Sequence, residues 1–206
     1  MTFWMDTFAL AANGCRMIDV AIFRAVVQHR ISALDPVMLM LSHRGFLGAI
    51  CIIWAIALVR IRPRRKGRFA FVVLAISIGL SSLASSQILK PWADRPRPCS
   101  VDKNIALTEV CDSGKSMPSN HAVTLGAGAA VVMFFLSRRG RVIALPILFL
   151  VGFSRVYLGV HYPSDVIVGT AFGFAMAALV LALWTFMGTR FCLVSSVPPS
   201  FPGKPS

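Results

Sequence analysis

Acidic residues are scarce in this chain. Its 206 residues include 8 aspartates and glutamates against 21 lysines and arginines, and only 14% are charged. About a quarter of the residues of a soluble domain are charged, and a soluble enzyme of this length would expose more charge than this. A disordered basic tail would be poor in apolar residues, yet 56% of this chain is hydrophobic. A nucleic-acid-binding domain would set its basic residues on a polar surface, so no nucleic-acid partner is implied. The five cysteines form no Cys-x-x-Cys pair, which removes the zinc spacings. No basic residue precedes Cys15, so the charged start of a signal peptide is missing. No internal repeat is visible. What remains is an integral membrane protein, all-α, whose basic excess belongs in loops on one side.

A membrane-spanning helix needs about 20 mainly apolar residues. Five runs qualify or nearly qualify: Gly45–Val59, Phe69–Leu89, Met117–Leu136, Val142–Val160 and Val166–Thr189. The first is short, but the flanking Arg44 and Arg60 can snorkel to the interfaces. The prediction is a polytopic bundle of five to six transmembrane helices. The open question is residues 1–43, because the apolar stretch Thr7–Val27 carries Arg16, Asp19 and Arg24. Each charge at mid-membrane costs about 2.5–3.5 kcal/mol on an insertion scale. An amphipathic helix lying in the interface is the preferred reading, and a sixth span the alternative. Residues 44–190 then form the embedded unit. Residues 191–206, rich in proline and serine from Val194 onward, read as a disordered cytoplasmic tail.

Orientation follows from the loops. Arg60–Arg68 holds six basic residues and no acid, and the turn at Arg138, Arg139 and Arg141 holds three more. Both fall on one side if the spans alternate, and that side is expected to be cytoplasmic. The long loop Lys90–Ser116 and the short link around His161 are then outside. Against that bias, Lys90, Arg95, Arg97 and Arg155 gather at the outer ends of the spans, with His121, His161 and Asp165 at the same depth. Polar residues collect at helix ends anyway, as caps and anchors, which would explain Ser119. That does not explain Arg155, which lies inside an apolar run where a charge is expensive and usually faces a polar site.

Phosphoryl transfer suits this set. Lysine neutralises anionic oxygens as a point charge and arginine grips them with a fork. Two histidines allow a nucleophile and an acid. Asp165, four residues after His161, would reach and orient the imidazole if the link there is helical. Cys99 and Cys111 share the outer loop; a disulfide would close it in an oxidising compartment, and two free thiols are the alternative. Gly169 and Gly173, four residues apart, resemble a helix-pairing motif, used either between chains or, more simply, within this one.

The same residues resemble the three-part signature of the type 2 phosphatidic acid phosphatase (PAP2) superfamily. Lys90 through Arg97-Pro98 matches K-x6-R-P. Pro118-Ser119-Asn120-His121 matches P-S-G-H with one departure. Ser154-Arg155, His161 and Asp165 match S-R-x5-H-x3-D. The resemblance covers residues 90–165. It implies that His161 is the nucleophile, Asp165 its orienting acid, and His121 the acid that protonates the leaving group. It implies that Lys90, Arg97, Ser119, Asn120 and Arg155 hold the phosphoryl oxygens, with no metal and no cofactor. Asn120 stands where the motif has glycine; asparagine tolerates left-handed backbone, and its amide is a candidate phosphate contact. The implied function is a lipid phosphatase of a bacterial inner membrane, its site facing the periplasm, acting on a phospholipid or polyprenyl diphosphate. Undecaprenyl diphosphate is the first expectation. Phosphatidylglycerophosphate, phosphatidic acid and lipid A are alternatives, as are a lipid phosphotransferase and, more distantly, a non-catalytic anionic-lipid binder or transporter. The oligomeric state is left open.

Overall fold

The computed structural model describes residues 16–195 apart from 62, 103–104, 106–110 and 112–113, and leaves out the side chains of 137 and 187–195. Among the described residues every regular element is helical. Helix α1 covers 16–28. A 3-10 turn, Ser32–Leu34, leads into α2 (Asp35–Ser42) and α3 (Arg44–Val59). Helix α4 (Arg64–Ala84) runs through a π turn, Ser85–Leu89, into α5 (Lys90–Ala93). A short α6 (Pro98–Val101) sits in the following loop, and α7 (Asn120–Tyr157) and α8 (Pro163–Ser195) complete the chain.

Among the described residues three helices are long and apolar enough to cross a membrane: Arg64–Ala93, Arg138–Tyr157 and Pro163–Phe186. A fourth crossing comes from α2 and α3 if that pair, bent by 56°, is one broken span. The bend falls at His43, whose extended backbone interrupts the helix while its Nδ1 accepts from the Gly45 amide. The remaining apolar run, Asn120–Leu136, is a shorter helix. Sequence boundaries shift at two places. The expected span Phe69–Leu89 lengthens at both ends, because the π turn carries the helix through to Ala93. The expected span from Met117 begins at Asn120. The remainder of the predicted tail, 196–206, lies outside the described residues, as do residues 1–15; 191–195 continue α8.

Helix α7 turns back on itself. A Cβ added at Gly140 would lie 2.5 Å from the Val132 carbonyl oxygen. Eight residues of straight helix would separate those positions by about 12 Å. The basic turn at Arg138–Arg141 therefore links two antiparallel legs. This brings the start and end of α7, and so His121 and Arg155, to one end of the bundle. The basic loops mark the other end, where Pro63, Arg65, Phe134, Phe135 and Trp184 line a common cavity.

Helices α7 and α8 approach backbone to backbone. A Cβ at Gly126 would lie 2.6 Å from the Thr170 oxygen, one at Gly169 2.8 Å from the Ser119 oxygen, and one at Gly173 2.3 Å from the Val123 oxygen. Gly169 and Gly173 thus serve packing within the chain, the simpler of the two uses their spacing allowed. The interior is filled by Trp54, Leu58, Val73, Leu125, Val131 and Val151. The outward faces remain apolar: Ile52, Ile53, Leu83, Phe149 and Ile167 are each about 60–70% exposed, as lipid-facing residues are.

Candidate active site

The α7–α8 link decides where His161 sits. Helix α7 ends at Tyr157, and Gly159 follows with φ +75°, the left-handed position that glycine takes without strain. Its last carbonyls are capped in return, since the Val160 and His161 amides both donate to the Arg155 oxygen. The link is not helical at His161, contrary to the condition the sequence suggested. Instead Pro163 opens α8, and Asp165 reaches back so that its Oδ2 accepts from the Tyr162 amide at 2.8 Å. This is the reciprocal half of a capping box. The carboxylate is thereby held in place before any histidine is considered.

His161 Nδ1 then lies 3.6 Å from Asp165 Oδ2, longer than a hydrogen bond. Catalytic contacts of this kind are often loose without substrate. Both residues are buried, at 1% and 0% exposure. Burial, opposed by the Asp165 interaction and reinforced by the Arg155 and Arg97 charges, lowers His161 to about 4. The imidazole is therefore neutral at pH 7. A neutral ring that directs Nδ1–H at a carboxylate presents the lone pair of Nε2.

The other expected residues converge unequally. Arg155 is buried at the end of α7 and donates to the Ser42 carbonyl (3.3 Å) and hydroxyl. The His121 ring meets the Ser42 backbone and lies within electrostatic reach of Arg155 and His161. Its Nε2 is buried with no hydrogen-bond partner among the described residues. Arg97 is buried, and its Nε donates to the Gly114 oxygen at 2.9 Å. Ser119 departs from its expected use as a cap. It occupies the N-cap position of α7, yet its side chain makes no cap bond, and its buried Oγ has no partner among the described residues. Its amide instead donates to the Asp165 backbone oxygen at 3.1 Å. Lys90 Nζ donates to the Lys115 oxygen, one residue before Ser116.

Asn120 is exposed, and its Oδ1 accepts from Ser85 Oγ at 3.0 Å, facing the π turn. It starts α7 with helical backbone. Among the described residues Asp94 is the one non-glycine with positive φ. The tolerance of asparagine for left-handed backbone is therefore not needed here. Cys99 and Cys111 are disulfide-bonded. Among the described residues no cluster of three or more His, Cys, Asp or Glu side chains is arranged to hold a metal ion.

Two residues at this site carried no sequence signal, and a third, Asp19, stood out only as a charge in an apolar stretch. Ser116 donates to Asp165 Oδ2 and lies 3.4 Å from His161 Nδ1. Ser42 receives Arg155. Asp19, on α1, accepts from Arg95 at 2.6 Å, and Arg95 in turn donates to Asp165 Oδ1 at 2.8 Å.

Residues 67–189 match the profile of the PAP2 superfamily. The chain belongs to it. It is 30% identical over 185 residues to phosphatidylglycerophosphatase B of Bacillus subtilis, covering 84% of this chain and 86% of that protein. It is 28% identical over 155 residues to undecaprenyl-diphosphatase of Sulfolobus acidocaldarius, covering 75% and 73%. The crystal structure of a transmembrane PAP2-type phosphatidylglycerolphosphate phosphatase from Bacillus subtilis superposes with a TM-score of 0.62. It is 29% identical to this chain, over 87% of this chain and 92% of that one. As a PAP2 member the chain is a membrane lipid phosphatase, a hydrolase acting on lipid phosphate groups.

Proposed function

We propose that this phosphatase removes the terminal phosphate of a lipid through a phosphohistidine formed on His161. The observation that carries the reading is the buried pair His161–Asp165 set under Arg155 and Arg97, within electrostatic reach of His121. In the first step Nε2 of His161 bonds to phosphorus while the bond from phosphorus to the leaving oxygen breaks. His121 gives that oxygen a proton. Asp165 holds Nδ1–H and balances the charge that the ring acquires. In the second step His121 takes a proton from water, the water oxygen bonds to phosphorus, and phosphate leaves with His161 restored. Arg97, Arg155, Lys90 and the Ser119 hydroxyl gather the phosphoryl oxygens, and the amides at the start of α7 add donors along a helix dipole. Asn120 serves indirectly, through Ser85.

The site opens at the end of the bundle opposite the basic loops, so the positive-inside rule puts it on the periplasmic face of a cytoplasmic membrane. Helix α1, 16–28, lies along that face, and 44–190 form the catalytic unit. Undecaprenyl diphosphate is the substrate we assign first. Phosphatidylglycerophosphate is the second reading, favoured by the greater share of the chain that aligns with the phosphatidylglycerophosphatase relative. The test is phosphate release by detergent-purified protein from a panel of lipid phosphates without added metal, with His161→Ala as control. Release from none of them, or release by His161→Ala near the wild-type rate, would overturn the reading.

A further inference from the structure

Arg95 falls between the first motif's lysine and its final arginine, and the phosphoryl cradle does not use it. Its guanidinium nevertheless touches Asp165. Nη1 donates to Asp165 Oδ1 at 2.8 Å and to Ser164 Oγ at 2.7 Å, and Nη2 donates to Asp19 Oδ2 at 2.6 Å. The plane lies over the Tyr162 ring, 4.0 Å from its centroid. Asp19 is only 7% exposed, although it sits on an N-terminal helix that the motifs do not cover. Its two oxygens also accept from the Ser164 amide (2.9 Å) and hydroxyl (2.6 Å). One carboxylate on α1 thus holds both Arg95 and the first turn of α8. Phe23 adds an apolar contact, its ring 5.2 Å from that of Tyr162. A cavity of about 520 Å³ on this side is lined by Arg16, Asp19, Arg95, Tyr162 and Ser164, and by neither histidine.

Resting on the reading of His161 as nucleophile, we propose that Asp19 and Arg95 are positioning residues for the reaction, a clamp by which α1 fixes the orientation and the effective charge of Asp165. The two oxygens of Asp165 divide the work. Oδ1 is occupied by Arg95, while Oδ2 receives Ser116 and the Tyr162 amide and faces His161. Rotation of the carboxylate would break the Arg95 Nη1 bond to Oδ1, so the oxygen that faces the imidazole stays fixed. The charges matter as well. Arg95 between Asp19 and Asp165 leaves one net negative charge beside His161. Without Arg95 there would be two, and without Asp19 none. The other groups facing His161 are Arg155 and His121 from α7, Arg97 from the loop before α6, and Ser116 from the loop before α7. They are the same in each variant.

The clamp therefore predicts opposite electrostatic effects from two substitutions that loosen the same contact. Arg95→Gln raises the imidazole's affinity for protons and moves the acid limb of kcat/KM up by about one pH unit. Asp19→Asn lowers that affinity and moves the limb down. Both lower kcat, by about 10²-fold if the carboxylate shifts by 1 Å, and KM stays within about twofold because neither residue touches substrate. Arg95→Lys keeps the charge and loses the fork, so kcat falls while the limb stays in place. The experiment measures phosphate release from undecaprenyl diphosphate by the full chain in detergent, from about pH 2.5 to 8, with Tm recorded for each variant. The lipid's own ionisation is common to all and cancels. Limbs moving in opposite directions support the clamp. Equal shifts in the same direction, a lowered Tm with an unchanged profile, or kcat within twofold of wild type would overturn it. Should either variant fail to fold, the Arg95→Lys profile decides: a displaced limb overturns the clamp, and a fixed limb with lowered kcat supports it. An active His161→Ala control would instead overturn the underlying reading, whatever Arg95 does.

Discussion

Replacing Gly169 by alanine tests whether close packing of α7 on α8 sets the site. The added Cβ would lie 2.8 Å from the Ser119 oxygen and 3.1 Å from the Ala122 Cβ, where ordinary contact begins at 3.4 Å. The helices must part locally by about 0.6 Å, and the nearest obstacle is backbone, which cannot rotate away. Ser119 is the residue whose amide holds the Asp165 oxygen and whose buried hydroxyl is proposed to hold a phosphoryl oxygen. A displacement of 1 Å near reacting groups costs about 10²-fold in rate, so about 0.6 Å should cost about 10-fold in kcat. Gly173→Ala demands more, from 2.3 Å at the Val123 oxygen, but one helical turn further from the site. It should act mainly on stability, by about 1–3 kcal/mol of overpacking. Gly79, in α4, has nothing within 4 Å, and alanine there should stabilise by about 0.5–1 kcal/mol. The assays are thermal unfolding in detergent and phosphate release. Unchanged kcat for Gly169→Ala together with unchanged Tm for Gly173→Ala would refute the reasoning.

Three further outcomes are expected. Ser116→Ala removes a hydroxyl bonded to a buried carboxylate, and Tm should fall by the equivalent of about 1.5–3 kcal/mol; an unchanged Tm would contradict this. Cys111→Ser opens the loop that carries Arg97 and Ser116, so phosphate release should fall in the variant, and in wild type after reduction, but not on adding reductant to the variant. His161 is held at about 4, below its ordinary 6.5. Between those values the unfolded chain takes up a proton that the folded chain does not, so stability is lost as pH falls from about 6.5 towards 4. The expected loss should be smaller in His161→Ala; equal slopes of Tm against pH would contradict it.

The chemistry was more legible in the sequence than its support. His121, Arg155, His161 and Asp165 stood out because polar groups inside apolar runs are costly and their spacing is short. Ser42 and Ser116 did not, because a serine near a helix end has many ordinary uses, and Asp19, a charge in an apolar stretch, belongs to no motif. They reach the site across long separations: 113 residues from Ser42 to Arg155, and 76 from Asp19 to Arg95. Ser119 looked like a cap by its position, and only the geometry shows its hydroxyl turned elsewhere. The extension of α4 to Ala93 passes through a π turn, which leaves no hydrophobic period to read. The reversal of α7 was legible, since three arginines between two apolar runs required a turn.

The central claim is a covalent bond between His161 and phosphorus. Rapid quenching of the enzyme with radiolabelled lipid phosphate, followed by alkaline digestion-compatible peptide mapping, tests it directly. Label that is acid-labile, stable to base and confined to the peptide bearing His161, and that is absent in His161→Ala, is the predicted result. Turnover with no trapped label at any quench time, or label on another residue, would contradict it.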